Sequence, residues 1–174
     1  MQPTLIAREP RIVVVMGVSG SGKTTIGQRL AERLGWAFQE GDSLHPDANI
    51  AKMKAGHALT DADRQPWLEA LAAWIGRQLE ADAPGVITCS LLKQAYRRQV
   101  IGTHAHVRLV FLHADFQLIA DRLSQRHGHF MPPSLLQSQF DTLEPPGPGE
   151  APLTVDIGQP ADEIVTTILR QLGV

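Results

Sequence analysis

The stretch Ile12-Val13-Val14-Val15-Met16-Gly17-Val18-Ser19-Gly20-Ser21-Gly22-Lys23-Thr24 decides the fold class. Its apolar first part makes a short buried strand, and the rest fits G-x-x-x-x-G-K-T, the pattern of a phosphate-binding loop. Glycines permit the tight turn, and a helix is expected from Thr24 to about Leu34. The inward-facing N–H groups of the loop and the positive end of that helix form a cradle for nucleotide phosphates. Lys23 reaches the β- and γ-phosphates, and the Thr24 hydroxyl takes a place on Mg²⁺. A Gly/Ser-rich surface loop would explain neither the lysine nor the spacing.

Outward from this loop, strand-like and helix-like segments alternate, the pattern of a parallel sheet with helices on both faces. Further strands are expected at 36–39, 85–89, 107–112 and 153–157. Helices are expected from about Pro46 to Gly56, Asp61 to Ala81, through Arg97 to Ile101, Phe116 to Arg126, and Pro160 to Leu172. Thr60 or Asp61 is placed to cap the long one, in which Trp67, Leu68, Leu71, Ile75 and Leu79 recur at helical spacing. Trp67 and Trp74 read as core. Between Arg126 and Leu153 the rhythm breaks, with Pro- and Gly-rich ends around a short helix at 134–140. Long excursions in compact domains are usually functional or disordered. Arg122 and Arg126 precede this one, as suits a phosphate-covering lid at about 126–150 within a single domain, 1–174.

At 174 residues with a formal net charge of −2, the chain has no positive field to gather nucleic acid or anionic lipid. Neither a nucleic-acid nor a membrane partner is expected. Cys89 is the one cysteine, so no internal disulfide can form, which fits a reducing compartment. The N-terminus lacks the long apolar run of a secretory signal, and no run approaches the ~20 residues that span a bilayer. A cytoplasmic location is expected.

A phosphate-binding loop fixes a nucleotide but not a reaction. A GTPase would carry N-K-x-D, which is absent, and a AAA-type or transporter ATPase would end an apolar strand in an acid. Here the third strand ends Thr88-Cys89-Ser90. A small chain with the loop at its start and an Arg-rich lid near its end reads as a kinase of small molecules. Asp42, after the second strand, lies at the edge where open α/β sheets bind ligands. It can take the acceptor hydroxyl's proton or hold Mg²⁺ through water. The competing role is an ordinary helix cap. Asp115 reads as a cap of the helix at Phe116. Lys93 and Arg97, four apart, would share a helix face at the same edge and suit an anionic acceptor such as a sugar acid. The competing role for them is a solvated basic face. His45 is placed to bond a polyol hydroxyl. Cys89 reads as a small buried residue.

Several blocks carry a more specific signal: Glu40-Gly41-Asp42-Ser43-Leu44-His45-Pro46, Asp61-Ala62-Asp63-Arg64-Gln65-Pro66-Trp67-Leu68, and Leu135-Leu136-Gln137-Ser138-Gln139-Phe140-Asp141-Thr142-Leu143-Glu144. Together with Gly17–Thr25, Asn49 with Lys52-Met53 and Gly56, Cys89-Ser90-Leu91-Leu92-Lys93 with Tyr96-Arg97, and Gly128-His129-Phe130-Met131, they resemble the P-loop gluconokinase family nearly end to end. The resemblance implies an α/β, three-layer P-loop kinase fold like that of nucleoside monophosphate kinases, with a parallel five-stranded sheet and a lid. It implies ATP- and Mg²⁺-dependent phosphorylation of the 6-hydroxyl of D-gluconate, commonly by a homodimer. Carried over by position, Gly17, Val18, Ser19, Gly20, Ser21, Gly22, Lys23, Thr24 and Thr25 would hold ATP, with Thr24 and Asp42 serving Mg²⁺. Asp42, His45, Arg64, Lys93 and Arg97 would grip gluconate, with Lys23, Asp42 and Arg126 catalytic. Arg122, Arg126 and the His129 region would close on the nucleotide, with Gln159 and Pro160 near adenine. The chain departs from the pattern at Leu91-Leu92, where a smaller residue is expected after Cys-Ser. Pro132 and Pro133 would stiffen the lid.

The nearest rival is a shikimate or nucleoside monophosphate kinase; shikimate kinase would want Asp-x-Asp after the second strand and a triple-glycine turn after the third. A nucleotide-switched binding protein acting through its lid is a rival of another class, and would hydrolyse ATP slowly without any acceptor.

Overall fold

The computed structural model describes residues 9–125 and 133–174. Arg126 and the 128–131 block lie outside the described residues. Five strands, β1 (Ile12–Met16), β2 (Ala37–Glu40), β3 (Gly85–Cys89), β4 (Val107–His113) and β5 (Leu153–Asp156), form one sheet in the order β2-β3-β1-β4-β5. Every pairing is parallel, and Ile12 lies opposite both Gly85 and Val107. The central strands β1 and β3 are buried along their whole length, which is why they read as unbroken apolar runs rather than alternating ones.

Alternate residues of β1 feed two cores. Val13 and Val15 pack with Ile26 and Leu30 of α1 (Lys23–Leu34), Ile119 of α5 (Phe116–Ser124) and Ile164 and Ile168 of α7 (Ala161–Leu172). Ile12, Val14 and Met16 pack on the other face with Trp67, Leu71 and Ile75 of α3 (Asp61–Glu80) and Tyr96 and Val100 of α4 (Gln94–Val100). Burying one such Leu or Ile stabilises the fold by about 1.5–3 kcal/mol. The neighbouring strands β1 and β3 send their following helices, α1 and α4, to opposite faces. A crevice therefore opens beyond the strands' carboxyl ends, where ligands bind in sheets of this kind.

Local chemistry sets the boundaries. Thr60 accepts from the Asp63 N–H while the Asp63 carboxylate accepts from the Thr60 N–H, a reciprocal cap that starts α3 where the sequence put it. Asp115 accepts from Leu118 N–H and so caps α5 as expected. The two remaining helices are α2 (Asp47–Lys54) and α6 (Pro133–Thr142), the second a few residues longer than expected. None of the described helices is long and apolar enough to cross a membrane.

Candidate active site

The loop after β1 turns through Gly20 (φ +81°) and Gly22 (φ +93°), conformations that a side chain would strain. Lys23 opens α1, is buried, and donates from Nζ to Val18 O at 3.0 Å. Ser19 is engaged from above by α6: its N–H donates to Gln139 Oε1 at 2.7 Å, and Gln139 Nε2 donates to Ser19 Oγ at 2.9 Å. Gln139 thus docks the segment expected to act as a lid on the phosphate loop. The sequence showed Gln139 only as part of a motif.

At the end of β2 the chain separates two acids around a glycine for a steric reason. A Cβ on Gly41 would lie 1.9 Å from Thr88 O, so only glycine lets this turn pass β3. Glu40 then points back along the sheet, where Oε2 accepts from Thr24 Oγ1 at 2.5 Å and Oε1 from Thr88 Oγ1 at 2.7 Å. Asp42 is exposed on the cleft wall and caps neither the following 3-10 turn nor α2. The capping role weighed for Asp42 is therefore not the one it fills. Glu40 was missed as a site residue, although its spacing from Asp42 was visible. Its contact with the Thr24 hydroxyl depends on strand pairing.

Thr24, Glu40 and Asp42 together offer a hydroxyl and carboxylates, a donor set of the kind Mg²⁺ prefers. Among the described residues there is no cluster of three or more His, Cys, Asp or Glu side chains to cage a metal. That also fits Mg²⁺, which usually takes one or two carboxylates plus substrate phosphates.

One cleft is lined by Ser19, Lys23, Asp42, His45, Arg64 and Trp67, together with Ser90, Tyr96 and Gln139. His45 is buried and stacked on Trp67, ring centroids 4.3 Å apart, while Trp67 Nε1 donates to Gly41 O at 2.9 Å. Burial holds the imidazole pKa below its ordinary value against the opposing pull of Asp42, and Arg64 adds to the lowering. Arg64 donates to Tyr96 Oη at 3.1 Å. Tyr96 in turn donates to Asp61, which also takes Lys93 Nζ at 3.0 Å. Hydrogen bonds from Tyr96 and then Lys93 hold the Asp61 carboxyl below the usual range, and burial raises the Tyr96 phenol.

Two expectations for the acceptor edge need correction. Lys93 and Arg97 do not share a helix face, because Lys93 is extended (φ −95°, ψ 143°) and precedes α4. Lys93 does not line the cleft: it pairs with Asp61 and lies 5.5 Å from the ring centre of Tyr96, which does. Arg97 is turned away from the cleft and only 2% exposed. It donates to Glu150 Oε1 at 2.6 Å and Oε2 at 3.1 Å, and to the carbonyls of Leu91 and Leu92. Burial works to raise Glu150, but the bonds from Arg97 and Gly147 N–H outweigh it and hold its pKa low. Leu91 has φ +41°, in the left-handed region, and is fully buried. Such a backbone is strained for a residue with a side chain, and the Arg97 fork on the Leu91 and Leu92 carbonyls helps hold the turn. Burial pushes the Cys89 thiol pKa up, which leaves it inert.

On the other side of the phosphate loop, Gly20, Ser21, Gly22 and Thr25 share a recess with Arg122 and Gln159. Arg122 donates to Ile157 O at 2.7 Å. Pro160 caps α7 and is not on the recess wall, where Ala161 stands instead.

Residues 12–146 match the family model described as an AAA domain, to which the chain therefore belongs. Along nearly its full length the chain is 48% identical to a gluconokinase of Gluconobacter oxydans (strain 621H), covering 96% of this chain and 94% of that one. A sugar kinase from Janibacter sp. HTCC2649, in an unliganded crystal structure, is 44% identical with a TM-score of 0.89 over 95% of both chains. The crystal structure of a gluconokinase from Sinorhizobium meliloti 1021 is 47% identical with a TM-score of 0.84, covering 95% of this chain and 93% of that one. With a phosphate loop, an exposed acid and a basic, hydroxyl-lined cleft at one sheet edge, and relatives this close over the whole length, the chain belongs to the gluconokinase family.

Proposed function

We propose that this chain phosphorylates D-gluconate at its 6-hydroxyl with ATP, giving 6-phospho-D-gluconate and ADP. The observation that carries the reading is one cleft in which the phosphate-loop lysine, Lys23, and the exposed acid, Asp42, face His45 and Arg64. The acceptor's 6-hydroxyl oxygen bonds to the γ-phosphorus as its proton passes to the Asp42 carboxylate. The bond from that phosphorus to the bridging oxygen breaks, and ADP leaves with the electron pair. Lys23 and the loop N–H groups meet the charge that develops on the transferring group, the kind of contact whose removal costs about 10²–10³ in rate. Arg64 and His45 hold the acceptor's carboxylate and hydroxyl oxygens, and Lys93 adds positive charge beyond the cleft lining.

Thr24, Glu40 and Asp42 would hold Mg²⁺, which supplies charge neutralisation on the phosphates when bound. Arg122, Gln159 and the recess they share with the loop support a nucleotide site on that side. The segment 126–150 serves as the lid, with Arg126 contributing to catalysis; the Gln139–Ser19 contact supports that reading. A cytoplasmic homodimer completes it.

A coupled assay over a panel of aldonic acids, each with ATP and Mg²⁺, tests this function. Gluconate should be the preferred acceptor, and ATP turnover should be nearly idle without it. ATP hydrolysis that ignores every sugar acid would refute the reading in favour of a nucleotide-switched binding protein.

A further inference from the structure

Asn49, in α2, is 5% exposed and belongs to no part of the reaction described above. Its Nδ2 donates to Asp63 O at 2.7 Å and lies 3.2 Å from His45 Nδ1. A backbone carbonyl can only accept, so the amide orientation is fixed: its nitrogen, not its oxygen, faces Asp63 O. The second N–H of the same nitrogen is then directed at His45 Nδ1, which must accept it. An imidazole nitrogen that accepts carries no proton, so the ring's proton resides on Nε2. The ring cannot swing away, because it is stacked on Trp67 at an interplanar angle of 12°, and Trp67 is itself tethered to Gly41 O.

Among the described residues His45 bonds through Nδ1 alone, which leaves Nε2 without a hydrogen-bond partner, and the side chain lines the acceptor cleft. We propose that Asn49 is a positioning residue that fixes His45 as a neutral Nε2–H donor, so that His45 selects acceptors presenting an oxygen lone pair there and cannot take the hydroxyl's proton. The proposal rests on the reading of His45 as an acceptor contact. It also sharpens the division of labour, since the proton must go to Asp42. The charged groups that act on the ring are Asp42, from the turn after β2, and Arg64, from α3; on α2 and α3 the nearby Lys52 and Asp63 side chains are paired with each other. The tautomer is set by the one direct contact, from Asn49.

The test is Asn49→Asp, which replaces the donor facing Nδ1 with an acceptor at nearly constant volume. Nitrogen-15 multiple-bond NMR of the imidazole, with His45 assigned by its loss in His45→Gln, reads the tautomer directly. The parent should show protonated Nε2 and bare Nδ1, and Asn49→Asp should place a proton on Nδ1. The Michaelis constant for gluconate should rise about tenfold, as expected for one hydrogen bond lost or reversed, with that for ATP little changed. In a His45→Gln background, where the side-chain amide donates whatever stands at 49, Asn49→Asp should add little. Because Asn49→Asp also removes the donor to Asp63 O, Asn49→Ala serves where the aspartate variant folds poorly. It should give mixed tautomers and a smaller, still gluconate-selective effect.

A proton on Nδ1 in the parent overturns the proposal while leaving His45 as a contact. So does an equal effect on both substrates, or an undiminished effect of Asn49→Asp in the His45→Gln background, because either marks Asn49 as merely structural. A normal gluconate constant in His45→Ala would instead remove the underlying reading of His45.

Discussion

Arg97→Ala separates a structural ion pair from an acceptor contact. Arg97 is 2% exposed and its partner Glu150 17%, and the guanidinium also serves the carbonyls of Leu91 and Leu92. Removing one partner of a buried pair costs about 3–5 kcal/mol, chiefly because the other charge is left buried. Glu150 can partly rehydrate, so the lower end, about 3 kcal/mol, is expected. For a domain of this size, about 2–4 °C of melting temperature is lost per kcal/mol, which places the variant roughly 6–12 °C below the parent. Glu150→Ala should destabilise as well, and the two changes should be strongly non-additive in the double variant. Differential scanning calorimetry gives the stabilities, and initial rates below the melting range give Michaelis constants for gluconate and ATP. A variant that melts like the parent but binds gluconate tenfold worse would refute the placement of Arg97 and return it to the cleft.

The other expectations follow from the same geometry. Lys23→Ala should retain the fold and lose about 10²-fold or more in turnover, and retention of more than about a tenth of parental activity would count against the phosphate-loop assignment. Asp42→Asn should melt like the parent, because this side chain caps no helix, while turnover falls by about 10²-fold; a near-normal rate would move the proton elsewhere. Asp63 has its pKa lowered from 3.8 to about 2 by hydrogen bonds from Lys52 and then Thr60. A depressed carboxyl stabilises the fold fully above its ordinary pKa and loses that contribution as pH falls from about 4 towards 2. The stability gap between parent and Asp63→Asn, read from urea midpoints, should therefore shrink over that window, and a gap independent of pH would contradict the cause assigned.

Much of this protein is legible along the chain because the relevant physics is local. An unbroken apolar run followed by G-x-x-x-x-G-K-T specifies a buried strand, a turn and a helix from neighbouring residues alone. The Thr60/Asp63 cap and the Asp115 cap are also short-range and stand where the sequence placed them. Family motifs extend that reach to the reaction class, because their spacing is specific over nearly the whole length. Whether a charged side chain faces the cleft is different, since it depends on residues far apart in sequence. Arg97 had the composition and spacing of an acceptor contact, yet Glu150, 53 positions later, and an extended Lys93 turn it into the core. Glu40 had the look of a strand-end acid, and only the parallel pairing of β2 with β3 brings Thr88 to one of its oxygens while the other reaches Thr24. Asn49 showed in the sequence only as one residue of a family motif, with no role attached. Its effect on His45 requires the Asp63 carbonyl of another helix to take one N–H, and only the packing of α2 against α3 puts that carbonyl in place.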